Sequence, residues 1–432
     1  MTFSADQFDP AYLCFLDEMY HCHWSFRKKK RIQRLRQAIH HFWPDGHSTR
    51  FIQVTGTNGK GSVSFHLQQG LGLFGSTGSW TGPHVFDYAE RIHINGVPVD
   101  HAELVDLFRT EIEPYQLANA DKLGDESLGF ASLGILVVLK LFERHAIDWG
   151  VMEVGAGGRY TPLMALDVAA CVLTNVGNDH PITLGAELWQ RAMDKAGIAR
   201  PQIPFFSSEN KKAEPFVAAT VKSQKGVYLP VEDRDVKLVA DQESPGAPDY
   251  LVRNKALSLK LVSHFYPESN FQTVLSAMNT RPTGRFGLDE DHGILVDVSH
   301  NPDKIAALAQ RLRHEFGGRK FMFLLGLTRQ RNPREVFAPL QDLAARVVTT
   351  SAGYAGQDPH ELAENLRPLF TDVVAEPDPK TALELLFGKR ENEELIVLTG
   401  SAYMIDQALN PNPFLAYMNA NFGWRGPSHE SR

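Results

Sequence analysis

Apolar and polar positions fall in blocks along this chain, and the blocks predict buried strands alternating with amphipathic helices. A short apolar run from Phe51 to Val54 reads as a buried strand, and helical spacing follows from Val63 to about Leu73. Upstream, residues 1–50 read as helical, with aromatics at Phe15, Tyr20, Trp24 and Phe26 and a helix from about Lys30 to His41. The segment Gly75 to Gly96 is dense in Gly, Ser and Thr and reads as a surface loop, with a strand from Glu90 that ends at a turn. Leu128 to Phe142 is a long apolar helix, Asp148 to Val154 and Ala169 to Asn175 are strands, and a helix then carries Asp194 to Ile198. Residues 210–265 are charged and irregular, which predicts an antiparallel excursion. A composition shift from Arg281 to Arg285 reads as a hinge. Strand candidates at 293–298, 320–325, 346–350 and 395–399 then alternate with helices. The pattern predicts an α/β protein of two doubly wound units, residues 1–280 and a smaller 281–432.

The first strand runs into Gly56, Thr57, Asn58, Gly59, Lys60, Gly61 and Ser62, and a helix follows. Glycines let backbone N–H groups close on phosphate oxygens, and the helix N-terminus adds its positive end. Lys60 supplies a point charge for the outer phosphates, and Ser62 offers a hydroxyl to Mg²⁺. Gly61 separates the lysine from the serine, so the spacing differs from the common Walker form. The residue types predict an ATP site. Two further strands place polar groups at their C-terminal ends, where ligands gather in open α/β sheets: Glu153, before Gly155 to Arg159, and His180 on the neighbouring crest.

Composition narrows the picture by exclusion. At 43% hydrophobic and 22% charged the 432-residue chain is ordinary for a soluble globular protein. A formal charge of −7 argues against a broad nucleic-acid footprint, and the basic run Arg27 to Arg31 reads as a solvated helix face. Three cysteines, Cys14, Cys22 and Cys171, form no CxxC pair, which favours a reducing compartment. His21, Cys22 and His23 diverge on either a strand or a helix, so they converge poorly on a metal. No basic start precedes an apolar leader, and no run approaches a membrane span. The expectation is a cytoplasmic monomer.

Several segments together resemble the folylpolyglutamate synthase/dihydrofolate synthase family, a branch of the Mur ligases. They are Gly56 to Ser62, Thr81 to His84 with Glu90 to Gly96, Glu153 to Arg159, Asp179-His180, Asp194 to Ile198, Gly284 to Phe286, Asp297 to Pro302, and Thr399 to Ser401. Each motif is weak alone, but they stand in family order over nearly the whole chain. The resemblance implies a Mur-ligase-like fold, with an N-terminal P-loop ATPase domain and a smaller C-terminal Rossmann-like domain that closes over it. It also implies an ATP-dependent ligase that joins a carboxylic acid to an amino acid, L-glutamate, through an acyl phosphate.

Site roles follow from the same resemblance. Ser62, Glu153 and His180 would hold Mg²⁺, with room for a second divalent or monovalent cation. Lys195 matches a lysine that is carbamylated and so becomes a carboxylate-like metal ligand. Arg285 and Asp297 match nucleotide contacts, and Asn270 matches an adenine contact. His300 would meet the incoming glutamate or the phosphates. On the residues alone, Glu153 could be a surface acid, His180 a turn histidine and Lys195 an exposed lysine.

The acceptor-binding segments depart from the family. Ser127 to Ser132, Tyr160 to Ala165, Gly82 before Pro83, and Arg329 to Asn332 all differ from the expected patterns. The nucleotide machinery is kept while the pterin-site region is rewritten. Three readings therefore compete: a folate-type ligase, the same chemistry on another carboxylate of a specialised pathway, and a nucleotide-binding paralogue without catalysis.

Overall fold

A computed structural model describes residues 9–21, 28–119, 128–178, 181–209, 212–279, 286–351, 355–390 and 394–410. The chain builds two sheets. The first has β1 (Arg50–Thr55), β2 (Thr77–Trp80), β3 (Ile92–Ile94), β4 (Val97–Pro98), β5 (Trp149–Glu153), β6 (Ala170–Leu173), β7 (Pro204–Ser207) and β8 (Val227–Pro230). Their spatial order is β4-β3-β2-β5-β1-β6-β7-β8; β2–β3 and β3–β4 pair antiparallel, and the other five pairs are parallel. The second has β9 (Gly287–Asp289), β10 (Ile294–Asp297), β11 (Phe321–Leu325), β12 (Ala344–Thr349), β13 (Val373–Ala375) and β14 (Ile396–Thr399), in the order β13-β12-β11-β14-β10-β9. Only β9 is antiparallel in it.

β1 lies at the centre of the first sheet because its apolar run can be buried on both faces. Phe51 points to a core shared with Met152, Leu173 and the helix Phe130–Arg144. Ile52 and Val54 point to the opposite core, where Val63, Leu67 and Leu71 of the helix Lys60–Leu71 meet Leu257 and Leu261. Alternate residues thus bury opposite faces, and the strand's end is fixed in space before any ligand arrives.

Two expectations from the pattern are corrected. The segment 75–96 is not a surface loop throughout. Thr77 to Trp80 forms β2 inside the sheet with every residue buried. A Cβ at Gly78 would stand 2.2 Å from the Phe142 ring, so the small residues exist to seat that helix against the strand. Glu90 and Arg91 likewise lie in a 3₁₀ turn, Tyr88–Arg91, before β3 begins. Residues 210–265 are not an antiparallel excursion either. They hold the helices Glu214–Ser223, Asp233–Ala240 and Asp249–Phe265 and the parallel strand β8. Their charges pair along helix exteriors, as in Lys237–Asp241 and Arg253–Asp249, while Val252, Leu257 and Leu261 face the core. The strand candidates of the second half all appear, with β9 and β13 in addition.

The basic run opens the helix Lys28–Phe42, and Cys14 is an exposed free thiol. Cys22, His23, Arg27 and the hinge residues 281–285 lie outside the described residues. The two sheets meet at a loop. Val85, with Phe86 against it, is buried in the core formed by Val296, Leu398 and Met404 of the second sheet.

Candidate active site

The site is assembled at the C-terminal ends of β1, β5 and β6 and closed from above by the end of β10. Gly56 leaves β1 with φ +146°, and a Cβ there would lie 1.8 Å from Thr174 Oγ1. Gly59 starts the next helix at φ +80° with no side-chain cap, so the first N–H groups of that helix face the loop. The end of β6 laces the loop in place. The Thr57 N–H donates to Asn175 O at 2.9 Å, and the Asn58 N–H donates to Asn175 Oδ1 at 2.9 Å. Thr174 Oγ1 donates to Asn58 O at 2.6 Å. Gly56→Ala is therefore expected to destabilise the chain by about 2–4 kcal/mol through overpacking and left-handed strain. Chemical denaturation reads that loss, and nucleotide binding falls with it.

Lysines reach the loop from two sides. Lys60 Nζ donates to Gly56 O at 3.1 Å and to Thr57 O at 3.2 Å. Lys195, 2% exposed, donates its Nζ to the same Gly56 carbonyl at 3.1 Å. It lies beneath the loop, since the helix Leu188–Ala196 turns Lys195 inward. Asp194 supports the neighbouring glycine segment by accepting the Gly158 N–H at 2.8 Å.

Glu153, 5% exposed, ends β5 and accepts the Gly82 N–H on Oε2 at 3.2 Å. It lines one cleft of about 270 Å³ with Lys60, Ser62, Arg91, His300 and Lys304. Ser62 and Glu153 give that cleft an oxygen donor set suited to Mg²⁺. Among the described residues no group of three or more His, Cys, Asp or Glu forms a metal cage. His180 and Arg285 lie outside the described residues.

The wall opposite Lys60 comes from the loop before β3. Glu90 accepts the N–H groups of Val85, Phe86 and Asp87, and burial pushes its carboxyl above the ordinary range. Burial alone would raise Asp87 as well. Hydrogen bonds from His101, Tyr12 and the Ala89 N–H hold it below its usual value instead. Arg91 Nε donates to His84 Nδ1 at 2.8 Å. Burial, and then the adjacent guanidinium, push His84 down to about 3, so it stays neutral and accepts that bond. Arg91 is thus fixed with its guanidinium near the Trp80, Tyr88 and Phe130 rings, at 5.6, 5.9 and 5.6 Å.

The remaining candidates divide. His300 lines the cleft. Asp297 ends β10, and its carboxylate accepts the Phe286 and Ser299 N–H groups, both at 2.9 Å. Asn270 caps the helix Phe271–Ala277 and is exposed there, off the cleft wall. Sequence reasoning missed Thr174, Asn175 and Lys304. For Lys304 a signal existed: a cation in the first turn of a helix opposes the dipole.

The glycine-loop sheet and the second α/β sheet thus face one another across a cationic cleft. Residues 284–402 match the family described as Mur ligase, glutamate ligase domain. Known proteins resemble about nine-tenths of the chain. A probable bifunctional folylpolyglutamate synthase/dihydropteroate synthase of Haloferax volcanii is 26% identical over 89% of this chain, which spans only 48% of that relative's length. The dihydrofolate synthase/folylpolyglutamate synthase of Bacillus subtilis is 22% identical, covering 89% of this chain and 95% of the relative. A Mycobacterium tuberculosis folylpolyglutamate synthase structure, complexed with ADP, superposes with a TM-score of 0.81 at 24% identity, covering 91% and 97%. Residues 284–402 thus carry a Mur ligase glutamate ligase domain, and over about nine-tenths of its length the chain is similar to folylpolyglutamate synthases/dihydrofolate synthases and shares their fold.

Proposed function

We propose that this chain is an ATP-dependent ligase that joins L-glutamate to a carboxylic acid through an acyl phosphate, releasing ADP and phosphate. The observation that carries the reading is the single cleft in which Lys60, Ser62 and Glu153 of the first sheet face His300 and Lys304 of the second. A carboxylate is a poor electrophile, and transfer of the γ-phosphoryl group turns one of its oxygens into a leaving group. Such transfer needs positioning and neutralised charge more than covalent help from the protein. Lys60 supplies charge at the phosphates, and the Gly56 to Ser62 backbone supplies N–H donors. The amine then attacks the acyl carbon, phosphate leaves, and the amine's proton passes to solvent or to a base in the cleft.

Ser62 and Glu153, with His180, would hold Mg²⁺, which supplies charge neutralisation at the phosphates when bound. A carbamylated Lys195 would add a carboxylate-like donor from beneath the loop. Asp297 and Arg285 belong to the nucleotide side in this reading, and Asn270 to the adenine. The chain divides into domains of residues 1–280 and 281–432 and works as a cytoplasmic monomer on small molecules, without nucleic acid or membrane. No helix among the described residues is long and apolar enough to cross a membrane.

Folate is the first choice of acid, from the names of the relatives. A second reading, another carboxylate, is favoured by the segment after Arg159. There Leu163 and Ala165 are buried in the core, and the Met164 carbonyl accepts from Arg36 at 2.9 Å, so this departing stretch is spent on packing. The experiment is ATP-dependent phosphate release with L-glutamate against dihydropteroate, tetrahydrofolate and a panel of aromatic and aliphatic acids, with products read by mass. A glutamylated pterin is expected. Product only from a non-pterin acid establishes the second reading, and no turnover with any acid overturns the ligase reading.

A further inference from the structure

Lys304 stands in the first turn of the helix Pro302–Phe316, three residues after the capping Asn301. A cation there opposes the positive end of the helix dipole, so local stability does not explain it. Its position is closely defined. Asn301 Oδ1 accepts the Lys304 N–H at 2.9 Å, and Asn301 Nδ2 donates across the cleft to Asn58 Oδ1 at 3.3 Å. The Ser299 carbonyl accepts from the Gly400 N–H at 2.8 Å and from Thr399 Oγ1 at 3.1 Å, which ties the whole turn to β14.

The ammonium lies on the cleft wall beside His300. His300 Nδ1 is 2.8 Å from Val298 O, and a carbonyl only accepts, so Nδ1 carries the proton. Nε2 therefore offers its lone pair, and Lys304 Nζ donates to it at 3.2 Å. That bond aims the ammonium along the cleft wall beside His300. Among the described residues lining the cleft, Lys60, Arg91 and Lys304 are cations and Glu153 is the carboxylate. That excess calls for anionic ligands. Phosphates account for Lys60 at the glycine loop. Arg91 and Lys304 stand on walls contributed by different sheets, which suits an amino acid that carries a second carboxylate.

We propose that Lys304 binds a carboxylate of the incoming amino acid and makes the cleft choose an acidic amino acid over its amide. The inference rests on the ligase reading above and adds to it the residue that sets the amino-acid class. It is tested by steady-state kinetics on the full chain, varying L-glutamate, L-glutamine and ATP in turn. Lys304→Met keeps chain length and helix propensity while removing the charge. A charge-assisted bond of this kind predicts a rise of at least about tenfold in the KM for glutamate, with the KM for ATP held within about twofold. The glutamate-over-glutamine preference shrinks by a similar factor. In Lys304→Arg the charge remains and the preference survives. An unchanged glutamate KM, an unchanged preference, or a parallel rise in the KM for ATP overturns the proposal. Equal losses in the Met and Arg variants make Lys304 a packing position and overturn it too. Wild-type chain that forms no amide with any amino acid defeats the ligase reading and this inference together. Wild-type turnover with unaltered Lys304→Met kinetics defeats the inference alone.

Discussion

Lys60→Ala is expected to lower ATP-dependent amide formation by about 10³-fold or more while leaving the fold intact. The loss corresponds to roughly 4 kcal/mol of transition-state stabilisation, the size seen when one preorganised charge is removed from a developing anion. Lys60 is only half-buried, and its contacts to Gly56 O and Thr57 O are backbone carbonyls within its own loop. Lys195 still serves the Gly56 carbonyl when Lys60 is gone. Thermal unfolding should therefore move by no more than a few degrees. Single-turnover phosphate release separates the chemical step from binding. Activity near wild type would sink the placement of the phosphates on this loop, and a purely scaffolding paralogue would keep its biological role in the variant.

The second large effect is at Lys195. An amine that is 2% exposed and bonded to the loop's first carbonyl can act in two ways. As a carbamate it would be a carboxylate-like metal donor. As an ammonium it would fix the Gly56 peptide and, through it, the loop. Lys195→Ala should cost about 10² or more in turnover under either role, because either way the loop or its metal is mispositioned. The two separate on rescue. Acetate or another small carboxylate restores part of the activity only if the carbamate is lost, and intact-protein mass of the wild type then carries one carbamyl group. Loss without rescue leaves the ammonium role. Turnover like the wild type would remove Lys195 from the site altogether.

The parts of this protein that were legible in its sequence are those set by short-range chemistry. Phe51 to Val54 could be read as a central strand because Phe51, Ile52 and Val54 put large apolar side chains on both of its faces. Gly56 and Gly59 could be read as a tight strand-to-helix loop because positive φ and close backbone approach require glycine. The strands of the second half followed from the same reasoning. Thr77 to Trp80 was misread because its small residues look like loop composition, and only the Phe142 ring lying on Gly78 shows why they are small. Residues 210–265 were misread because their charges hid the helical period that Val252, Leu257 and Leu261 carry on the inner face.

Sequence alone thus determined most of the alternation of elements and the glycine loop between β1 and its helix, since each depends on residues within a few positions of one another. Tertiary structure decided the rest. It brought Lys195 under the Gly56 carbonyl, bound Asn175 to the loop, set Asn301 against Asn58, and faced Lys304 with Arg91 across one cleft. Those pairings join residues more than a hundred positions apart. Their geometry depends on how two twisted sheets pack, which no local pattern of apolar and polar residues encodes.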